Sequence, residues 1–254
     1  MNGLSGNQLK LTGAVLMVMD HLHQMFYPQG MPVWFHWAGR PVAVIFLFLC
    51  AEGFHHTHSR KRYALRLLAG YWAMGLISRI LSALMPVEGV ALINNIFGTL
   101  FMSVIFMFFA DWFRESVKAR NIPGVILSLV CAALPFGAVI FVMLAPLPQW
   151  LKIALIEFVP NLVAVEGGPV AVLIAVLFYL FRGKRMAQIA VIAAVSFLAF
   201  LYIEGMEWLM IFAVVPVYLY NSKRGGGSRY FFYVFYPAHI YLFYITAWFL
   251  SGNV

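Results

Sequence analysis

Long apolar runs separated by short polar breaks dominate the chain. They cover Leu9 to Tyr27, Trp34 to Phe54, Ala64 to Met85, Ile93 to Phe113, Ile122 to Ala145, Pro169 to Phe181, Met186 to Ile203, Trp208 to Tyr220 and Tyr230 to Leu250. A helix needs about 20 apolar residues to cross the hydrocarbon of a bilayer, so the pattern predicts an all-α, polytopic integral membrane bundle of about nine transmembrane helices. The sixth and eighth runs are short. The stretch Trp150 to Glu166, broken by Pro160 and followed by Gly167-Gly168-Pro169, reads as a re-entrant or surface-lying segment. No internal repeat or low-complexity linker interrupts the series, so residues 1–254 read as a single transmembrane domain.

Polar positions inside these runs change the picture from a passive bundle to one with chemistry. Asp20 and His21 sit side by side in the first run. A charged side chain at the membrane centre costs about 2.5–3.5 kcal/mol on insertion scales, so such a pair is expected to face a polar cavity. Lys10 lies eleven positions before His21, three helical turns plus about 20°, which places both on one face roughly 16 Å apart. An adjacent carboxylate favours the imidazolium and burial opposes it, so Asp20 and His21 are candidates for a catalytic base and its orienting partner. His23 and Gln24 extend the polar lining, with His23 near the outer end of the span.

Composition agrees with the pattern. The 254 residues are 63% hydrophobic and 10% charged, leaving little for a separate water-soluble domain. The net charge of +8 does not indicate nucleic acid, because the cations fall in short loops between apolar runs. Arg60, Lys61, Arg62 and Arg66, then Arg114, Lys118 and Arg120, then Arg182, Lys184 and Arg185, then Lys223, Arg224 and Arg229 all fall on one side of a nine-helix arrangement that starts inside. By the positive-inside rule that side is cytoplasmic, which predicts a multi-pass membrane protein with a cytoplasmic N-terminus. Glu88, Glu157, Glu166, Glu204 and Glu207 fall on the other side. The first run lacks the basic cluster and small-residue cleavage site of a signal peptide and reads as a mature helix. Cys50 and Cys131 have no paired spacing.

Further polar residues are candidates for binding a ligand. Arg40 opens the second run, and reads either as a clamp for an anion or as a partner that neutralises Asp20. Glu52 lies near the inner end of the same run, and Arg79 toward the outer end of the third. The run His55-His56-Thr57-His58-Ser59-Arg60-Lys61-Arg62 is a basic terminus of the kind that sets topology, and it also suits a phosphate-rich ligand arriving from the cytoplasm; no partner cluster gives it metal-ligand spacing. His239, two residues after Pro237, reads as a hydrogen-bonded core histidine, and Asn94-Asn95 as a helix cap or a cavity wall.

Taken in order, these stretches resemble the TraX family of inner-membrane acetyltransferases, which modify the amino terminus of conjugative pilin subunits using acetyl-CoA. The resemblance rests on Lys10-Leu11-Thr12-Gly13-Ala14-Val15-Leu16-Met17-Val18-Met19-Asp20-His21, on Gly39-Arg40, on Ala51-Glu52-Gly53-Phe54-His55-His56-Thr57 and on Phe235-Tyr236-Pro237-Ala238-His239. A basic residue, ten others and a histidine in the first helix also looks like the signature of the acyltransferase-three group, whose proposed catalytic histidine falls on His21. The family usually has Ala-Phe-Pro soon after Gly-Arg, whereas here Pro41 follows Arg40 directly.

The resemblance implies acetyl-CoA as co-substrate, a protein N-terminus or a glycan or lipid hydroxyl as acceptor, and no nucleic acid. Lys10, Arg40, Glu52, His55, Arg60, Lys61, Arg62, Asn95 and His239 are the residues expected to bind acetyl-CoA, and His21 with Asp20 the catalytic centre. His21 would deprotonate the acceptor or carry the acetyl group itself; the sequence leaves both routes open. Two other classes compete. A transporter would use Asp20, Arg40 and Glu52 as an ion relay, although no paired broken helices mark an inverted repeat. A haem or metal carrier would use facing histidines.

Overall fold

The computed structural model describes residues 3–227 and 230–252; Arg229 of the last basic group lies outside them. The described chain is helical, running through α1 (Gly6–Phe26), α2 (Trp34–Gly39), α3 (Pro41–His56), α4 (Arg60–Leu84), α5 (Ile96–Lys118), α6 (Ile122–Leu144), α7 (Gln149–Phe158), α8 (Gly168–Leu180), α9 (Arg185–Tyr202), α10 (Val214–Leu219) and α11 (Phe231–Leu250). Five spans among the described residues are long and apolar enough to cross a membrane: Trp34–His56, which joins α2 and α3, then α4, α5, α6 and α9. The expected count of about nine is therefore not established. Gly168–Leu180 and Glu207–Leu219 are apolar but short. In α1 and α11 the polar groups Lys10, Asp20, His21, Tyr236 and His239 dilute the hydropathy.

Two expected helices differ in form. The second run breaks into α2 and α3 at Arg40, because Pro41 supplies no N–H to continue the ladder. The eighth run is a 3-10 segment, Glu207–Ala213, followed by the single turn and a half of α10. The membrane setting is written on the surface. In α6, Ile126, Leu127, Val130, Leu134, Ile140 and Phe141 are exposed, a contiguous apolar face that only hydrocarbon solvates without cost.

The chain forms two compact units. The first draws on the described parts of Met1–Leu49, Leu76–Ile93 and Phe181–Val254. Its α1 begins at a capping box, in which Gln8 N–H donates to Ser5 Oγ and Ser5 N–H to Gln8 Oε1, satisfying two of the donors that a helix start leaves open. A buried stripe at every fourth residue follows: Leu9, Gly13, Met17 and His21. At Gly13 a Cβ would press on the Phe46 ring, so glycine permits the close approach. Lys10 Nζ lies 5.6 Å from the Phe232 ring centre, the His21 ring faces His239, and Phe26 meets Phe243. The partners ascend together, so α1 and α11 run parallel. The first turn of α1 is clasped to the loop before α11: Gly6 N–H donates to Lys223 O and Asn7 N–H to Arg224 O.

The second unit comprises Cys50–Gly75 and Asn94–Leu180. Here α5 packs against α6 and α8, and Met102, Leu162, Val165 and Val172 form a buried apolar cluster. The expected re-entrant or surface-lying stretch is α7 followed by a fold-back built on Asn161, whose Oδ1 accepts from Val163 N–H and Ala164 N–H. Thr99 Oγ1 donates to Glu166 O and ties the fold-back to α5. Asn95 sits at the start of α5, but its side chain does not cap the helix; Nδ2 donates to Tyr71 O instead, anchoring α5 to α4.

Candidate functional site

The buried stripe of α1 delivers His21 to the interior, where it is 5% exposed, and α11 delivers His239, 6% exposed. Their rings are nearly parallel, 22° apart with centres separated by 5.0 Å, and His21 Nδ1 lies 2.7 Å from His239 Nε2. His239 Nδ1 in turn lies 2.7 Å from Phe235 O, one helical turn earlier. Phe235 stacks on the His239 ring and Phe243 meets it edge-on, which fixes the rotamer. The core reading of His239 therefore captured its burial but missed its partner.

Asp20 is one residue from His21 in sequence and, 100° round the helix, points elsewhere. Its Oδ1 lies 2.8 Å from His36 Nδ1 and accepts from Arg40 at 3.4 Å. The expectation that Asp20 orients His21 does not match this geometry: the carboxylate serves α2 and the α2–α3 junction. Arg40 also donates from one nitrogen to both oxygens of Glu207, at 2.7 and 2.8 Å. Of the two readings of Arg40, pairing is what the structure displays. Gly39 makes it possible, since a Cβ there would overlap the Asp20 side chain. His23, near the end of α1, is buried, with Nδ1 3.0 Å from Met31 O and its ring 5.5 Å from that of His36.

Lys10, His21, His239, Asp20 and Arg40 thus gather in the first unit. In the second, Glu52 is buried with His56 Nε2 3.6 Å from its carboxylate, and His55 is exposed with its ring against that of His56. Arg60 donates to Asp111 at 2.7 Å and lies over the Phe54 ring, while Tyr179 OH donates to the same carboxylate. Lys61 and Arg62 are exposed, and Asn95 makes the backbone tie described above. Arg60 is thereby engaged in an ion pair, whereas Lys61 and Arg62 are exposed. Among the described residues no three His, Cys, Asp or Glu side chains converge as metal ligands.

Sequence reasoning missed His36, Glu207, Asp111 and Tyr179 as site or network members. His36 had a local signal, its four-residue spacing from Arg40 on a continuous helical path. Glu207 had none, because it meets Arg40 across 167 residues of chain.

The fold and these buried polar groups define a multi-pass, all-helical membrane protein with an imidazole pair enclosed in one of its units. A family model described as TraX protein matches residues 5–247, nearly the whole chain, and the chain belongs to the TraX family. That membership fits a membrane acetyltransferase in general. No curated protein and no solved structure matches the chain.

Proposed function

We propose that the protein transfers an acetyl group from acetyl-CoA to an amine or hydroxyl acceptor, with His21 at the reacting centre. The observation that carries this reading is a buried histidine on the same face of α1 as Lys10, both turned to α11, within a chain of the TraX family. A cation at one end of that face suits the phosphates of coenzyme A, and the slender pantetheine arm suits a passage along helix faces toward His21. The imidazole then serves as general base or as acetyl carrier. Asp20 acts at one remove, holding the α2–α3 junction beside α1 through His36 and Arg40. Lys61, Arg62 and His55 remain as accessible groups for the ligand's phosphates.

The protein sits in the bacterial inner membrane with its N-terminus in the cytoplasm. Two features support this orientation. Parallel α1 and α11 require an odd number of crossings if both span, and the clasp of residues 6 and 7 to Lys223 and Arg224 keeps the N-terminus on a basic side. Purified protein is expected to bind acetyl-CoA in calorimetry. Folded protein giving no heat with acetyl-CoA, coenzyme A or longer acyl-CoAs would remove the reading. Mass spectrometry of envelope fractions with and without the gene identifies the acceptor, by one acetyl mass on a protein N-terminus, a glycan or a lipid.

A further inference from the structure

A carbonyl oxygen only accepts, so the 2.7 Å contact between His239 Nδ1 and Phe235 O fixes the hydrogen of His239 on Nδ1. A neutral imidazole carries one N–H. His239 Nε2 is therefore a lone pair, and the 2.7 Å contact with His21 Nδ1 requires that His21 donate. In a neutral pair this leaves the lone pair of His21 on Nε2, the nitrogen turned away from His239. The chain of hydrogen bonds thus runs from His21 to His239 to the backbone of α11, and each link specifies the next.

We propose that His239 is a positioning residue for His21, holding its imidazole in the tautomer that presents Nε2 as the base or nucleophile. The part played by Nε2 in transfer rests on the acetyltransferase reading; the tautomer does not. An orienting residue must itself be locked, and His239 is held by Phe235, by Phe243 and by its own backbone bond. A neutral imidazole does here what a carboxylate does elsewhere, without the cost of a second charge in hydrocarbon. The neighbouring carboxylate, Asp20, is committed to His36 and Arg40.

On the direct route the acceptor N–H or O–H gives its proton to His21 Nε2 as its heteroatom bonds to the thioester carbonyl carbon. The C–S bond then breaks, and the departing thiolate takes that proton back from Nε2 as coenzyme A thiol. Between those events His21 is an imidazolium, with Nδ1–H still donated to His239. No proton is lost and no further reactant is needed.

The test is nitrogen NMR of histidine-labelled protein in lipid, with the His21 resonances assigned by their loss in His21→Asn, alongside acetyl transfer. Wild-type His21 should be protonated on Nδ1. His239→Phe keeps an aromatic ring but no acceptor, and should move the proton of His21 to Nε2 or to a mixture. The same variant should lower kcat by about 10²-fold or more with acetyl-CoA affinity within a few fold, as expected when a base is presented in the wrong tautomer. His239→Gln offers an acceptor near the position of Nε2 and should restore the tautomer and part of kcat; His239→Leu, which also lacks an acceptor, takes the place of the phenylalanine variant if that one does not fold. Wild-type His21 protonated on Nε2, or a tautomer unmoved in the variant that lacks an acceptor, overturns the proposal. The Nδ1–H tautomer in protein that transfers no acyl group would uphold the assignment and defeat the acetyltransferase reading instead.

Discussion

The two units each bury a set of polar side chains, and they do so differently. In the second, Arg60 meets Asp111, Tyr179 OH closes on the same carboxylate, and the Phe54 ring covers the guanidinium. One cation answers one anion, and the arrangement ties α4, α5 and α8 together. In the first, Arg40 faces two carboxylates, Asp20 and Glu207, with His36 as fourth member, and a separate pair of imidazoles lies between α1 and α11. That set brings two carboxylates to a single guanidinium and has an imidazole among its members. A closed pair stabilises helices; an unbalanced set with imidazoles is equipped for chemistry.

Breaking each set should separate the two roles. The largest stability effect is expected from Arg40→Ala, which leaves Asp20 and Glu207 together without their cation. Breaking a buried pair costs about 3–5 kcal/mol, and partial exposure of Glu207 brings the expectation to about 2–3 kcal/mol, read as thermal unfolding in detergent. Glu207→Gln in the Arg40→Ala background should recover part of the loss; no recovery would mean that the two carboxylates do not repel.

Gly39→Ala comes next, at about 1–3 kcal/mol, because the added methyl must displace the Asp20 side chain or the α2 backbone. A variant as stable as wild type would contradict the close approach. Asp111→Asn should cost about 1–2 kcal/mol and leave kcat near wild type in the folded fraction, since Asn still accepts from Arg60 but loses the charge. A large loss of kcat there would move the second unit from scaffold to chemistry. The smallest effect belongs to Lys61→Ala and Arg62→Ala, within about 0.5 kcal/mol in stability because both are exposed. Their signature is a weaker, less salt-dependent affinity for acetyl-CoA. Unchanged affinity would take them out of the phosphate site.

The difference between the units also explains what could be read from the chain. Ile122–Leu144, Arg185–Tyr202 and Phe231–Leu250 follow the apolar runs closely, because lipid demands the same apolar length that the pattern displays. The α2–α3 break had a signal in Pro41 that the averaged apolar run masked, whereas the 3-10 segment at Glu207–Ala213 was hidden, since such a run carries no information on which backbone hydrogen bonds close. At the site, the shared face of Lys10 and His21 was legible because helical angle alone determines it. Asp20 beside His21 misled for the same reason: neighbours in sequence point 100° apart. The partners that define both sets, His239 for His21 and Glu207 for Arg40, lie 218 and 167 residues away, beyond any periodicity.

The central claim is that chemistry resides at His21, and its most direct measurement is single-turnover acetyl transfer by His21→Ala alongside acetyl-CoA affinity. Loss of a positioned base or carrier removes about 10²–10⁴-fold or more of the rate while binding of the remote phosphates stays within a few fold. A folded His21→Ala protein that transfers acetyl groups at the wild-type rate would contradict the account.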